Sequence, residues 1–202
     1  FSLSDVATAA AMRAASLDAF PGATIVGTST LTASFLSGVD VVWLNSVANN
    51  LDATTPLSAA EQLALQNFVS AGGGAILFGE HDSFNDTSLL SPFGLATGSS
   101  VDNITSGTIT NLVHPVTAGP FGNVTVINSN FAGNLTTLGG ATSLGTWNSS
   151  GLSALAVLSS GTGRVVAFTD ANMYADRLGA ADNQKVLLNS LAFAKPAGGL
   201  QF

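Results

Sequence analysis

The sequence predicts an α/β fold with a mainly parallel sheet that is covered by helices on both faces. Ser58 and Glu61 match a capping box, the pattern that marks the start of a helix. Three glycines at positions 72–74 end that helix, and the apolar run at residues 75–78 is typical of a strand buried on both faces. Strands and helices that alternate over short connections favour a parallel sheet.

The elements before this segment are predicted from local signals. Ser2 or Ser4 can cap a first helix, whose apolar positions recur at helical spacing until Pro21. The next signals in chain order are a strand at residues 23–28, a helical turn at residues 33–36 and a second buried strand at residues 39–45.

The second half of the chain changes character. Residues 86–150 are rich in Gly, Thr, Ser and Asn, and we expect small β elements and loops that leave the main sheet. Residues 152–158 and 164–169 then read as two strands joined by a hairpin-like connection. A last helix is expected to begin at Asp182 and to end before Pro196.

Composition predicts a single domain over all 202 residues, because apolar residues make up 46% of the chain and charged residues only 8%. Ser, Thr and Asn must supply most of the polar surface, which favours an extracellular or cell-surface location. With a net charge of -7 and no basic cluster, nucleic acid is not expected as a partner. No apolar window is long enough to predict direct membrane insertion. The absence of cysteine excludes disulfides and thiolate metal sites.

Three segments of the chain carry a family resemblance through their order. These are VSAGGGAILFGEHDSF, HPVTAGPFG and GTGRVVAFTDANMYAD with the following NQKVLLNSLAFA. In this order the chain resembles the class I glutamine amidotransferase-like superfamily, especially its ThuA-like and related extracellular branch. The resemblance implies a flavodoxin-like three-layer sandwich. It also implies a nucleophile turn at residues 79–83, where His81 stands in place of cysteine. Asp170 and Asn172 flank Ala171 where the family carries histidine and glutamate, so the amidotransferase triad is absent.

The resemblance also implies a strand before the first helix, for which the chain has no residues. Either the sheet lacks that strand, or a neighbouring chain adds one at the edge. In families with the resemblance, the segment that contains His114 is a structural turn, because Pro115 restricts the preceding residue to extended geometry.

Polar residues follow the predicted strands and are expected to gather at one edge of the sheet, where parallel sheets bind ligands. The ligand-binding candidates are Asn45, Glu80, His81, Asp82, Asp170, Asn172 and Asp176. Their oxygens could hold a hard cation such as calcium, or sugar hydroxyls. Glu80, His81, Asp82 and Asp170 are also candidates for general acid and base catalysis. The alternative is that these groups only cap strand ends and helix starts.

Five sequons are candidate glycosylation sites, at Asn85, Asn103, Asn123, Asn134 and Asn148. Trp147 has polar neighbours, so we expect it to be exposed and able to stack on a sugar, whereas Trp43 lies in an apolar run and is expected in the core.

Two functions follow as hypotheses. The first is a non-catalytic secreted or cell-surface domain that binds other surface components or assembles with itself, since the triad is absent and β-rich edges can pair between subunits. The second is a sugar-related hydrolase-like enzyme, or a carbohydrate-binding module, that uses the strand-end polar cluster.

Overall fold

The computed structural model describes residues 9–46, 55–81, 84, 87–101 and 105–196. Among these residues the helices are α1 Ala10–Ala19, α2 Ala33–Leu36, α3 Ala59–Ser70, α4 Thr87–Leu90, α5 Asn172–Ala175 and α6 Asn183–Ala194, and Ser91–Phe93 form a 3-10 helix. The strands are β1 Val41–Asn45, β2 Gly74–Phe78, β3 Ala96–Thr97, β4 Thr105–Ile109, β5 Ala118–Gly119, β6 Gly122–Asn123, β7 Val126–Ser129, β8 Leu135–Thr137, β9 Thr142–Trp147, β10 Ser153–Ser160 and β11 Gly163–Phe168.

The main sheet of the described residues is mixed and mostly antiparallel. Its strand order is β1-β2-β11-β10-β9-β4-β7, with β8 beside β10 and β3 beside β8. Only β1 with β2 and β2 with β11 pair in parallel, and the other pairs of this sheet are antiparallel. The sheet curls into a half-barrel. The prediction of a flavodoxin-like sandwich with a mainly parallel sheet is therefore wrong.

The error lies in the middle of the chain, which joins the main sheet instead of leaving it. Strands β4, β7 and β9 extend the sheet beyond β10. These strands contain few apolar residues, so their sequences do not predict a place in the main sheet. Gly107 of β4 pairs with Trp147 of β9. A Cβ at Gly107 would lie only 3.0 Å from the Trp147 ring. The glycine thus leaves room for the aromatic side chain, which supplies the buried surface for both strands.

Helices cover both faces of the sheet and create two apolar cores. One core combines α1, α5 and α6 with side chains such as Ile76, Phe78 and Phe168. The other combines α2, α3 and α4 with Leu77 and Ala167 among others. Because neighbours along β2 and β11 point into opposite cores, these central strands are buried on both faces, and the sequence prediction for β2 is confirmed.

Predictions that rest on short-range sequence signals are confirmed. Ser58 caps α3 through a complete capping box with Glu61, α2 coincides with the predicted turn at residues 33–36, and β10 and β11 pair as the expected antiparallel hairpin. Helix α6 begins directly after Asp182, although its carboxylate makes no cap bond to the helix. The predicted caps of the first helix, Ser2 and Ser4, lie outside the described residues.

Two strand predictions at the N-terminal side are corrected. Residues 23–28 form no strand, although their β-branched composition favours one. Strand β1 forms, but only alternate side chains are fully buried, because Val42 and Leu44 lie in one core while Val41 and Trp43 are only partly buried against the other. The described helices include none long and apolar enough to cross a bilayer.

Candidate functional site

Glu80 and Asp170 meet at the carboxyl ends of two neighbouring parallel strands. Phe78 and Phe168 are register partners in β2 and β11, so the residues two positions later fall side by side. Glu80 is 4% exposed and Asp170 is 0% exposed. The two carboxyl groups share a hydrogen bond. A hydrogen bond between two carboxyl groups requires a proton on one of them, so we expect this pair to share a proton.

The remaining lone pairs of these carboxyls bind the protein's own backbone. Glu80 Oε1 accepts a hydrogen bond from the N–H of Ala171 at 2.8 Å. Asp170 Oδ1 accepts from the N–H of Asn172 at 2.7 Å, and Oδ2 accepts from the N–H of Asn130 at 3.1 Å. The Ser129 hydroxyl also donates to Oδ2. The pair therefore ties the end of β7 to the ends of β2 and β11.

Burial raises the pKa of Asp170 from 3.8 to about 6, because a charged carboxylate is poorly solvated in the core. Hydrogen bonds from Ser129, Asn172 and Glu80 stabilise the carboxylate and offset part of this rise. The protonation state of Asp170 is therefore expected to change near pH 6.

Asn45 and Tyr174 extend the cluster toward the edge strand. The Asn45 amide donates from Nδ2 to the Tyr174 hydroxyl at 2.8 Å. Burial raises the pKa of this hydroxyl, and the nearby Glu80 carboxyl raises it further. The Tyr174 ring also contacts Trp43 and Phe78 edge to face. Trp43 stacks on Phe78 as part of the core, as the sequence predicts.

The other predicted site residues have different surroundings. Asn172 is buried and contributes its backbone N–H to Asp170. His81 is half-buried, with its ring 4.8 Å from that of Phe84. Asp176 is exposed and pairs with Arg177 at 3.8 Å. Asp82 lies outside the described residues. Within the described ranges, no group of three or more acidic or histidine side chains could hold a metal ion.

Gly133 allows the loop after β7 to approach the Glu80 backbone. A Cβ at this position would meet the Glu80 carbonyl and would lie 2.8 Å from His81 N. We expect Gly133→Ala to lower the free energy of unfolding by about 2 kcal/mol, since both backbones are fixed by the sheet. Urea denaturation measures the loss. Gly140→Ala is the control, because a Cβ there has open space, and equal effects of the two changes would contradict this account.

Several residues that build the cluster were not predicted from the sequence. Ser129 and Asn130 come from the Gly/Thr-rich middle, which was assigned outside the sheet. Trp147 is the largest correction, since it is 0% exposed where exposure was expected. Its Nε1 donates to the carbonyl of Gly133 at 2.8 Å and to Thr169 Oγ1 at 3.0 Å. It supports the loop that carries Gly133 and presents no ring to a sugar.

His114 has the turn geometry expected from the sequence. Its Nδ1 accepts a hydrogen bond from the N–H of Val116 at 3.2 Å, and its carbonyl accepts from the N–H groups of Thr117 and Ala118. Burial lowers the pKa of the His114 imidazole.

The sequons differ in accessibility. Asn123 and Asn148 are exposed. Asn134 is 4% exposed, and its amide donates to the carbonyl of Ser99 at 2.9 Å. Asn85 and Asn103 lie outside the described residues.

A second concave site lies beside the edge strand β1. It is a cavity of about 300 Å³ with a mostly apolar lining. Its walls are β1, the α1 residues Met12 and Ser16 from one core layer, Leu31 and Phe35 from the other layer, and residues 23–28. The cavity therefore occupies the place where a further strand would continue the sheet.

The backbone of β1 directs N–H and C=O groups toward this cavity. Asp40 O accepts from Gly74 N, and Ser46 N donates to Phe78 O, each at 2.9 Å. Bonding alternates along a strand, so the N–H and C=O groups of Val41 and Trp43 face away from β2. Among the described residues, these groups have no hydrogen-bond partner.

The opposite edge of the sheet, β7, is closed by side chains. Asn183 exchanges two hydrogen bonds with the Asn128 backbone, at 2.9 and 2.7 Å. Asp182 bonds the backbone of Val126 in the same way, through its own N–H and its carboxylate. Burial tends to raise the pKa of Asp182, but hydrogen bonds led by that from Lys185 lower it to about 2. In the part of the chain that the structure describes, the β7 edge is thus blocked against strand pairing, whereas Val41 and Trp43 on the β1 edge keep unpaired backbone groups.

Comparison with known proteins shows similarity of fold alone. No protein-family model and no curated protein matches the sequence. The mmIFT52 N-terminal domain is similar with a TM-score of 0.65 and 17% identity, over 86% of this chain and 85% of that one. A cytoplasmic protein from Salmonella typhimurium has a TM-score of 0.59 and 12% identity, over 84% and 77%. A ThuA-like protein from Bacteroides uniformis has a TM-score of 0.58 and 14% identity, over 84% and 75%. The ThuA-like structure supports the resemblance seen in the sequence at the level of the fold.

Proposed function

We propose that this chain is a non-catalytic binding domain that takes up an extended segment of another protein as an added strand on β1. The observation that carries the proposal is the cavity at the β1 edge, which continues the sheet between the two core layers. Consistent with the composition, we place this role outside the cell or at the cell surface.

Backbone chemistry favours a peptide over a purely apolar ligand in this cavity. The outward N–H and C=O groups of Val41 and Trp43 would stay unpaired against an aliphatic ligand, at a cost of about 1 to 3 kcal/mol for each buried group. A peptide strand satisfies them through ladder hydrogen bonds, while its side chains alternate into the two core layers. The apolar lining then supplies affinity and the backbone supplies register.

The strand-end pair supports a non-catalytic role. Glu80 and Asp170 are almost fully buried and bind backbone N–H groups, so they are occupied in holding strands together. A general acid or base needs reach to a substrate proton. Trp147 is fully buried, so it offers no ring on which a sugar could stack.

The proposal is tested with the variant Val41→Pro, which removes an outward N–H and leaves the bonds from β1 to β2 in place. Val41→Ala is the matched control, because it shortens the side chain but keeps the N–H. A displayed library of random ten-residue peptides is selected on the wild-type protein. We expect Val41→Pro to weaken the recovered peptides at least about tenfold, and Val41→Ala to weaken them much less.

Two outcomes would contradict strand addition: recovery of no peptide, or equal affinity for wild type and Val41→Pro. Circular dichroism establishes that the proline variant is folded. If it is not, hydrogen exchange of the Val41 and Trp43 amides in the wild type gives the answer, since a bound strand protects both. A solution mass well above 20.2 kDa that drops in Val41→Pro would identify the donor as a second copy of the chain.

A further inference from the structure

We infer that the added segment carries a carboxylate that pairs with Arg13 in the β1-edge cavity, so that the domain selects acidic strands. This inference rests on the proposed function. It begins from the cavity lining, in which the described residues include a single charged side chain, that of Arg13.

Arg13 lies on the cavity side of α1, next to Met12 and one turn before Ser16. It is half-buried, yet among the described residues no ion pair or hydrogen bond involves its guanidinium. A guanidinium has five N–H donors and stays charged at all ordinary pH values. A half-buried cation with empty donors beside an apolar cavity is best satisfied by an anion on the occupant.

The hydroxyl groups in the cavity wall cannot serve Arg13 as well as a carboxylate can. The Ser16 hydroxyl already donates to the Met12 carbonyl at 2.8 Å, and Thr28 Oγ1 donates to the Thr30 carbonyl at 2.8 Å. Tyr174 receives the Asn45 amide. Neutral oxygens leave the positive charge uncompensated, whereas a carboxylate matches the planar guanidinium with two parallel hydrogen bonds.

The layers of the fold set the pattern of the segment. Side chains of a strand point alternately to the α1 layer and to the layer of Leu31 and Phe35. Arg13 and Met12 belong to the α1 layer, so the acidic residue and an apolar residue lie on that face, two positions apart. The residues on the other face are apolar, because Leu31 and Phe35 cover them. The expected segment is therefore apolar on one face and mixed on the other.

The test compares each recovered library peptide that contains Glu or Asp with its Gln or Asn twin, on wild type and on Arg13→Gln. We expect Arg13→Gln to weaken the acidic peptide about fivefold and to change the neutral twin less than twofold. Arg13→Glu with a lysine in the peptide should restore binding. Added salt is a poor readout, since the chain's net charge of -7 repels acidic peptides as a whole.

A free C-terminal carboxylate could supply the same chemistry as an acidic side chain. Amidation of the peptide C-terminus distinguishes them, because it weakens binding only if the terminus is the Arg13 partner. The inference is overturned if Arg13→Gln weakens acidic and neutral twins equally, or if recovered peptides show no excess of acidic residues. Failure of the proposed function looks different, because Val41→Pro then leaves the binding of both twins unchanged.

Discussion

Replacing Trp147 by alanine is expected to lower the free energy of unfolding by about 4 kcal/mol, the range seen when a large buried aromatic ring is removed. The ring is fully buried between Gly107 and Ile127 on one side and the loop of Gly133 on the other. Its removal leaves a cavity that the flanking glycine cannot fill. It also leaves the buried Gly133 carbonyl without its indole donor.

Trp147→Phe separates these two contributions. Phenylalanine keeps most of the ring but cannot donate to Gly133 O or Thr169 Oγ1, so a loss of about 2 kcal/mol is expected. Urea denaturation followed by circular dichroism is the measurement, since tryptophan fluorescence itself changes. Val113→Ala, at a side chain that is 86% exposed, is the control. A wild-type midpoint for Trp147→Ala would show that the indole is not a core element.

Trp147 also illustrates where local interpretation of the sequence failed. Exposure was expected because Thr146 and Asn148 flank it, but in a strand neighbours lie on opposite faces. Polar neighbours are therefore compatible with a buried ring. The strand itself was recognisable, but its partner was not. Gly107 lies forty residues earlier, and pairing across that distance leaves no local signal.

Elements that depend on local signals were predicted well. Helix α3 has its own capping box and glycine stop, and β2 is a continuous apolar run. Residues 23–28 show the opposite case. Their composition favours a strand, but a strand also needs a ladder of backbone hydrogen bonds with a neighbouring strand, and residues 23–28 form no strand in the structure. Sequence propensity alone could not establish whether the pairing forms.

The rule that residues following parallel strands meet at the carboxyl edge of the sheet predicted half of the polar cluster. It brought Glu80 and Asp170 together because β2 and β11 are adjacent and parallel, which holds even though most of the sheet is antiparallel. It could not identify Ser129 and Asn130, which reach Asp170 only because β7 closes the far end of a curled sheet. The rule also could not distinguish a ligand site from an internal tie, since that depends on burial.

Between about pH 4 and pH 7 the wild type is expected to lose stability as the pH rises, and Glu80→Gln is expected to abolish most of that loss. The folded-state pKa of Asp170, about 6, lies above its ordinary value of 3.8. Such a group contributes stability that is fully present below pH 3.8 and is lost as the pH rises through 6. The gap of about two pKa units corresponds to about 3 kcal/mol. Glutamine supplies a permanent N–H donor to Asp170 and keeps an acceptor for Ala171 N–H.

Other groups act in the opposite direction or outside this window. The lowered pKa of His114 contributes stability that is present above pH 6.5 and is lost on acidification. The Asp182 contribution is lost only as the pH falls below 3.8 toward 2. Subtracting the free energy of unfolding of the wild type from that of Glu80→Gln at each pH cancels the contributions of His114 and Asp182, because neither residue contacts Glu80. Urea unfolding at half-unit pH steps gives the two curves, and parallel curves would contradict the shared proton.

The variant Glu80→Ala tests whether the Glu80–Asp170 pair stabilises the fold or serves to bind a ligand. It removes the acceptor of the buried Ala171 N–H and the hydrogen-bond partner of Asp170, so a loss of about 3 kcal/mol is expected even at pH 5. If the pair served a ligand instead, the alanine variant would lose binding and keep its stability. The end of β11 and the loop after β7 are both held through these two carboxyls. Their loosening in Glu80→Ala should therefore appear as faster hydrogen exchange at Asn130 and Ala171, while the β1 edge retains its exchange rates and its peptide binding.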